Sequence, residues 1–175
     1  MDIEKSFSVA ATQADVWEFI TSAEKVATCL PGIEEVLVQA PGQYQGVMSI
    51  KVGPIKTSIK ADVEEVEQRA PEFASYAVKG EEGGRASNLT ADVKLMLTAI
   101  TEQQTDVVFT SHVIIVGRLG KFAGGVMNKL ADSISDQFVS AFRMQLEPQP
   151  EVPVVVAPTG LWARVVAFFR KIFSF

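Results

Sequence analysis

The sequence predicts an α+β domain in which a curved antiparallel sheet is covered on its apolar face by one long C-terminal helix. Residues 55–65 and 88–97 alternate apolar and polar side chains at every second position, as strands with one dry face do. Residues 120–147 instead place an apolar side chain at every fourth position from Phe122 to Leu146, which predicts one amphipathic helix. A sheet with a single apolar face needs such a cover.

The chain before the sheet predicts a first strand, "IEKSFSV", and two short helices. Thr12 is predicted to cap a helix over residues 13–20, with Asp15 completing a capping-box pattern. Ser22 is predicted to cap the second helix, "AEKVATCL", which Pro31 and Gly32 terminate. The two short helices therefore separate the first strand from the others.

Six further strands are predicted, and short turn signals such as Pro41-Gly42 and Gly53-Pro54 favour antiparallel pairing between neighbours. The last strand has two possible registers. Either Val107 and Phe109 face the helix, or the opposite set does, which includes Val108, His112 and Ile114. The predicted strands are "VLVQA", "YQGVMSIKV", "IKTSIKADVEE", "EFASYAVKG", "NLTADVKLML" and "TDVVFTSHVIIV".

Two adjacent glycines, Gly124 and Gly125, lie in the first turns of the predicted long helix. Each costs about 1 kcal/mol there relative to alanine. Two explanations are open: close approach by the small helices or by a bound molecule, or a frayed start of the helix.

The bulk composition indicates one domain with an appendage. The chain has 175 residues, 47% of them apolar, and a formal net charge of −5. The acidic body contains no basic stripe with aromatic side chains, so nucleic acid is not an expected partner. Cys29 is the only cysteine, which excludes an intramolecular disulfide and is compatible with a reducing cytosol. Because the N-terminus has no apolar run of signal-peptide length, a cytoplasmic location is expected.

The chain divides into a body over residues 1–147, a linker over 148–159 and a tail over 160–175. Four prolines in the stretch "EPQPEVPVVVAPTG" block helix and favour an extended tether. The tail, "GLWARVVAFFRKIFSF", has the pattern of an amphipathic helix with one apolar and one basic half. At about 1.5 Å per residue it spans roughly 24 Å, which is too short for a hydrocarbon core of roughly 30 Å.

The tail is therefore predicted to lie on the cytoplasmic surface of a membrane, where its cations favour an anionic leaflet. Two other interpretations stay open: docking in a partner's groove, or packing on the body. The residues predicted to bind the membrane are Leu161, Trp162, Arg164, Val165, Val166, Phe168, Phe169, Arg170, Lys171, Ile172, Phe173 and Phe175.

Two stretches of the body resemble a known family. "VWEFITSAEKVATCLPGIEEV" and "GRLGKFAGGVMNKLADSISDQF" are similar to the CoxG-like family of carbon monoxide dehydrogenase subunits, within the START-like, or SRPBCC, superfamily. The resemblance covers residues 1 to about 146. It implies a helix-grip fold, a hydrophobic cavity between sheet and long helix, and a role beside a carbon monoxide dehydrogenase or a related molybdenum hydroxylase. Such proteins are associated with recruiting the enzyme to the membrane or linking it to the quinone pool.

Catalytic and metal-binding patterns are not evident in the sequence. His112 is the only histidine, and it is either a pocket hydrogen-bonder or an ordinary residue of the sheet surface. Cys29 has no second thiol at CxxC spacing and is interpreted as a small buried residue. No phosphate loop, dinucleotide fingerprint or nucleophile elbow is present. We therefore predict that the chain has no catalytic residue and no metal site. The protein is not expected to be an enzyme.

An apolar cavity between the sheet and the long helix is the predicted ligand site; a solid core without ligand is the other interpretation. The expected ligand is an isoprenoid quinone of the menaquinone or ubiquinone type or a similar lipid, not covalently bound. The alternatives are a structural membrane recruiter without ligand, and a cyclase-like or hydrolase-like enzyme. The predicted lining residues are Trp17, Ile20, Leu30, Met48, Ile50, Ile59, Val93, Leu95, Val107, Phe109, Phe122, Val126, Met127, Leu130 and Ile134.

Overall fold

A computed structural model describes residues 1–122 and 124–147 of the chain. Seven antiparallel strands form one sheet in the order β1-β7-β6-β5-β4-β3-β2, and the predicted fold class is confirmed. The strands are β1 (Asp2–Val9), β2 (Ile33–Ala40), β3 (Gln43–Val52), β4 (Ile55–Arg69), β5 (Phe73–Glu82), β6 (Ser87–Thr101) and β7 (Gln104–Gly117). The helices are α1 (Gln13–Ile20), α2 (Ala23–Ala27) and α3 (Gly125–Leu146), with 3-10 turns at Gly83–Arg85 and Leu119–Phe122.

The two short helices begin where their caps predict. The backbone N–H of Asp15 donates to Thr12 Oγ1 at 3.1 Å, and the N–H of Lys25 donates to Ser22 Oγ at 3.4 Å. The chain then enters β2 through Gly32, whose φ is +82°. A Cβ on Gly32 would lie 2.4 Å from the carbonyl oxygen of Ser49, so only glycine fits this turn.

The long helix begins later than the sequence predicts. Residues 119–122 form a 3-10 turn, and α3 starts only at Gly125. Gly124 has a φ of +98°, a left-handed conformation that favours glycine and breaks the helical path between the two elements. A Cβ on Gly124 or Gly125 would meet no described atom within 4 Å, so the conformation of Gly124, not close packing, explains the glycine there. Phe122 consequently lies outside α3.

Two packed clusters connect α3 to the concave face of the sheet. In the first, the ring of Phe142 near the C-terminal end of α3 contacts those of Phe7, Phe19 and Phe138, with centroids 5.2 to 5.8 Å apart. In the second, near the N-terminal end of α3, Met127 packs with three further buried residues, Ile50, Val52 and Leu119. The helix is thus anchored at both ends, and its middle turns cross the space between the clusters.

Candidate ligand cavity

A cavity of about 530 Å³ lies between the sheet and the middle of α3. Apolar side chains from the sheet, from α1, from the segment around α2 and from α3 form almost all of its wall. This volume lies within the usual range of small-molecule sites. The predicted residues that the structure brings together on this wall are Ile20, Leu30, Met48, Ile50, Ile59, Val93, Leu95, Phe109, Met127, Leu130 and Ile134. Their role in binding a ligand stays a prediction.

Four predicted lining residues lie outside the wall. Val107 is fully buried in the first cluster, and Trp17 packs against that cluster. Phe122 packs against the second cluster from the 3-10 turn before α3. Val126 is 44% exposed, because the apolar face of α3 runs through residues 127, 130, 131 and 134 and leaves position 126 at its edge.

The structure also decides the register of β7. Phe109, Ser111, Val113 and Ile115 face the cavity, whereas Ile114 is exposed on the opposite face. His112 lies on that outer face as well, with Nδ1 at 2.6 Å from Asp2 Oδ1. The interpretation of His112 as a hydrogen-bonding group inside the pocket is therefore wrong, and the sheet-surface interpretation holds.

Sequence reasoning missed several wall residues, most importantly three with hydroxyl groups: Tyr76, Ser111 and Ser135. Tyr76 lies on β5, where apolar side chains point to both faces of the sheet, so the alternation pattern alone does not select one face. Met1 and Ile3 also line the wall. The alternation of Met1, Ile3 and Phe7 in the first strand was the signal that could have identified them.

The wall carries hydroxyl groups but, among the described residues, no charged side chain. Tyr76 is the largest of the hydroxyl-bearing residues. Burial raises the pKa of Tyr76 to about 12, and the nearby carboxylate of Glu65 and the phenol of Tyr44 add to the shift. The phenol of Tyr76 therefore stays protonated and able to donate a hydrogen bond over the whole physiological pH range.

A buried carboxylate fastens the chain just before α3. Glu82 has a fully buried side chain, accepts a hydrogen bond from Ser87 Oγ at 2.6 Å, and pairs with the guanidinium of Arg118. Ser87 Oγ in turn accepts the backbone N–H of Leu119 at 2.8 Å. This network holds the 3-10 turn of Leu119–Phe122 against the sheet, beside the second cluster.

The pairing of Glu82 predicts a pH-dependent stability. Hydrogen bonds from Arg118 and Ser87 lower the pKa of Glu82 below its ordinary value of 4.5. The stabilisation is therefore complete above that value and is lost as the pH falls through the lowered, folded-state pKa. We expect Glu82→Gln to reduce the free energy of unfolding by about 1–2 kcal/mol at pH 7.

Urea unfolding of the wild type and of Glu82→Gln at pH 7 and pH 3 measures the two free energies of unfolding. The stability difference between wild type and Glu82→Gln should shrink at the lower pH. Ser87→Ala, which removes one donor but keeps the charge pair, is the matched control and should retain most of the pH dependence. A constant difference between wild type and Glu82→Gln at both pH values would contradict the assignment.

The remaining predictions concern the cysteine, metal sites and the membrane. Cys29 is buried, and burial raises the pKa of its thiol. Within residues 1–122 and 124–147, no group of three or more metal-ligating side chains comes together. In that same part of the chain, no helix has the length and hydropathy needed to span a bilayer. The linker at 148–159 and the tail at 160–175 lie outside the described residues, so their predicted roles are not tested by the structure.

A curved antiparallel sheet that grips a long helix around an apolar cavity defines a START-like, helix-grip protein. Residues 6–147 match the family of the carbon monoxide dehydrogenase subunit CoxG, and the chain belongs to that family. The predicted resemblance is thereby confirmed. No curated protein sequence matches the chain.

Solved structures share the fold at low sequence identity. A conserved protein from Geobacillus kaustophilus has a TM-score of 0.74 at 18% identity and covers 83% of this chain and 94% of its own. A START superfamily protein from Mycobacterium smegmatis has a TM-score of 0.63 at 12% identity, covering 83% and 96%. The Zhui aromatase/cyclase from Streptomyces sp. R1128 has a TM-score of 0.61 at 15% identity, covering 83% and 92%. At these identities the likeness shows the fold alone.

Proposed function

We propose that the protein binds a quinone or a similar long-chain lipid in its cavity and links a carbon monoxide dehydrogenase-type molybdenum hydroxylase to the cytoplasmic membrane and its quinone pool. The observation that carries this proposal is the 530 Å³ apolar cavity held open between two packed clusters. A core that served only stability would be filled, because a void forfeits packing energy.

The wall is suited to a water-insoluble ligand. Burial of apolar surface stabilises a complex by about 25 cal/mol per Å², so roughly 300 Å² of an isoprenoid or fatty chain contributes on the order of 7 kcal/mol before the entropy of association is deducted. This term needs no specific polar contact. Apolar burial therefore accounts for the affinity for lipids in general, whereas recognition of the head group depends on the polar atoms of the wall.

The partner is proposed from the family. Carbon monoxide dehydrogenase stands in the family's description, and redox chemistry is assigned here to the cofactors of such an enzyme. The cyclase-like or hydrolase-like alternative draws on the aromatase/cyclase neighbour, whose 15% identity supports the fold only. The membrane part of the proposal rests on the amphipathic pattern of residues 160–175.

Solvent extraction of the purified full chain, followed by mass spectrometry, tests the carrier role. We expect a prenyl quinone or another long-chain lipid at close to one molecule per protein, because the apolar wall favours retention through purification. A clean extract from protein with native circular dichroism, together with failure to take up added quinone, would instead support a structural recruiter without ligand. An unrelated soluble protein from the same cells controls for carried-over lipid.

A further inference from the structure

We propose that the cavity holds the head group of a neutral, carbonyl-bearing lipid at a polar row formed by Tyr76 and Ser111, with the chain directed toward Met127. This inference rests on the proposed function, since it names the ligand class and its orientation within the same cavity. The polar row is defined as the transverse line Tyr76, Val93, Ser111 and Ile3 across β5, β6, β7 and β1.

Strand register places Tyr76 and Ser111 on one transverse line of the sheet. Tyr76 pairs with Val93, Val93 with Ser111, and Ser111 with Ile3. Residues in register on strands two apart lie about 9.6 Å from one another, and all four side chains of the row face the cavity. Tyr76 and Ser111 therefore lie on either side of Val93, and a head group with two oxygen acceptors placed over Val93 can approach both hydroxyl-bearing residues.

A third hydroxyl approaches from the helix. Ser135 lines the cavity and is 7% exposed. Its neighbour Asp136 accepts a hydrogen bond from Lys5 Nζ at 3.1 Å, and Lys5 is two residues beyond Ile3 on β1. Ser135 thus borders the cavity from the helix, on the wall opposite the sheet.

These hydroxyls have no hydrogen-bond partner among residues 1–122 and 124–147, and each borders the cavity. A hydroxyl in an apolar cavity gains a hydrogen bond when a ligand oxygen occupies the site. Tyr76 is a donor throughout the physiological pH range, since its pKa is about 12. The row therefore matches a ligand whose head carries oxygen acceptors.

The charge of the wall restricts the head group further. No lysine, arginine or histidine side chain lines the described wall, and the α-ammonium of Met1, a cationic group of a wall residue, donates to the carbonyl oxygen of Val113 at 2.8 Å. An ionised carboxylate or phosphate at the polar row would therefore be buried without a cationic side chain beside it, which is unfavourable. Neutral carbonyl oxygens, as in a quinone, ketone or ester, meet no such penalty.

The orientation of the ligand follows from the position of the hydroxyl groups on the wall. Beyond the polar row, toward the second cluster, the described wall consists of apolar side chains such as Leu89, Ile115 and Met127, and the α-ammonium of Met1 at that end already donates to the carbonyl oxygen of Val113 at 2.8 Å. In the other direction, Leu95 and Phe138 belong to the filled first cluster, and Tyr76 of the row packs directly against it. The head thus occupies the end nearer the first cluster, and the chain extends toward the second.

Three probes with the same decyl chain test the proposal on the full-length protein: a decyl-substituted benzoquinone, decylbenzene and decanoate. Binding is measured by displacement of the fluorescent dye N-phenyl-1-naphthylamine. We expect the wild type to bind the benzoquinone about tenfold or more tightly than decylbenzene, and decanoate more weakly than the benzoquinone. Tyr76→Phe and Ser111→Ala should each weaken benzoquinone binding about fivefold, with decylbenzene unchanged within about twofold.

Two controls separate the hydroxyls from the fold. Ser111→Thr keeps a hydroxyl and should retain benzoquinone binding within about twofold. The infrared carbonyl stretch of the bound benzoquinone should lie lower in the wild type than in the Tyr76→Phe, Ser111→Ala double variant. Thermal unfolding identifies any variant that does not fold. If the double variant does not fold, the infrared spectrum of the wild type is compared with that of a folded single variant instead.

The outcomes distinguish the two proposals. Equal wild-type affinity for benzoquinone and decylbenzene, a preference for decanoate, or equal weakening of both neutral probes in the variants would each overturn the polar row and leave a lipid cavity standing. No binding of any probe to the folded wild type would overturn the proposed carrier function, and the polar row with it.

Discussion

Deletion of residues 160–175 is expected to lower the affinity of the chain for vesicles rich in anionic lipid by about 100-fold. Arg164, Arg170 and Lys171 each contribute on the order of 1 kcal/mol near such a surface, and the apolar half of the predicted helix adds burial in the headgroup region. Sedimentation of full-length and truncated protein with phosphatidylserine vesicles measures the difference. Because surface charges are screened, the affinity of the full chain should also fall as salt is raised.

Charge variants separate lipid binding from other uses of the tail. Replacing Arg170 and Lys171 with alanine should weaken binding to anionic vesicles about tenfold or more and leave the weaker binding to neutral vesicles unchanged. The matched control, Lys79→Ala in β5, removes a cation from the body and should have little effect. Unchanged vesicle binding by the truncated chain would refute the anchor assignment. If neither the full-length nor the truncated chain binds vesicles, a groove on a partner protein is favoured as the binding site of the tail.

Filling the cavity with Ala131→Trp is expected to reduce binding of the decyl-substituted benzoquinone by about 50-fold or more while the protein stays folded. Ala131 lies on the cavity wall in the N-terminal half of α3, so an indole at this position projects into the open space. Since that space is empty of side chains, the substitution should avoid the overpacking penalty of about 1–3 kcal/mol that is typical of filled cores. Dye displacement gives the affinity, and thermal unfolding gives the stability.

Ser140→Trp is the control for this experiment. Ser140 lies on the exposed face of the same helix, so the same ring is added without entering the cavity. The affinity of the Ser140→Trp protein for the decyl-substituted benzoquinone should equal that of the wild type. Ala131→Leu should give an intermediate loss. Wild-type affinity in a folded Ala131→Trp protein would show that the ligand binds elsewhere.

The topology was predictable because local signals determine it. Alternation in residues 55–65 and 88–97 shows which side chains share a face, and short turns such as Pro41-Gly42 make neighbouring strands antiparallel. The caps at Thr12 and Ser22 are likewise local, since each joins residues three apart. The start of α3 could not be predicted in the same way, because a periodic pattern does not reveal that Gly124 adopts a φ of +98°.

The candidate site was predictable only in part. Val107 and Phe109 point to the same side of β7, yet Val107 is fully buried in the first cluster and Phe109 borders the cavity. The period-two pattern treats both residues alike, because it shows the direction of a side chain and not which element packs against that side chain. Tyr76 was missed for a related reason: β5 has apolar side chains on both faces, and only its pairing with Val93 of β6 shows which face is inside.

The amino-acid sequence by itself determined the order of the elements, the inward face of the regularly alternating strands β4 and β6, and the family resemblance, since these depend on patterns among residues near one another in the chain. The tertiary structure alone decided that the space under α3 stays open, which faces of β5 and β7 are inside, and that Tyr76 and Ser111 lie on one row. Those features arise where distant strands and one helix come together, and their spacing is determined by the packing of Phe142 at one end and Met127 at the other.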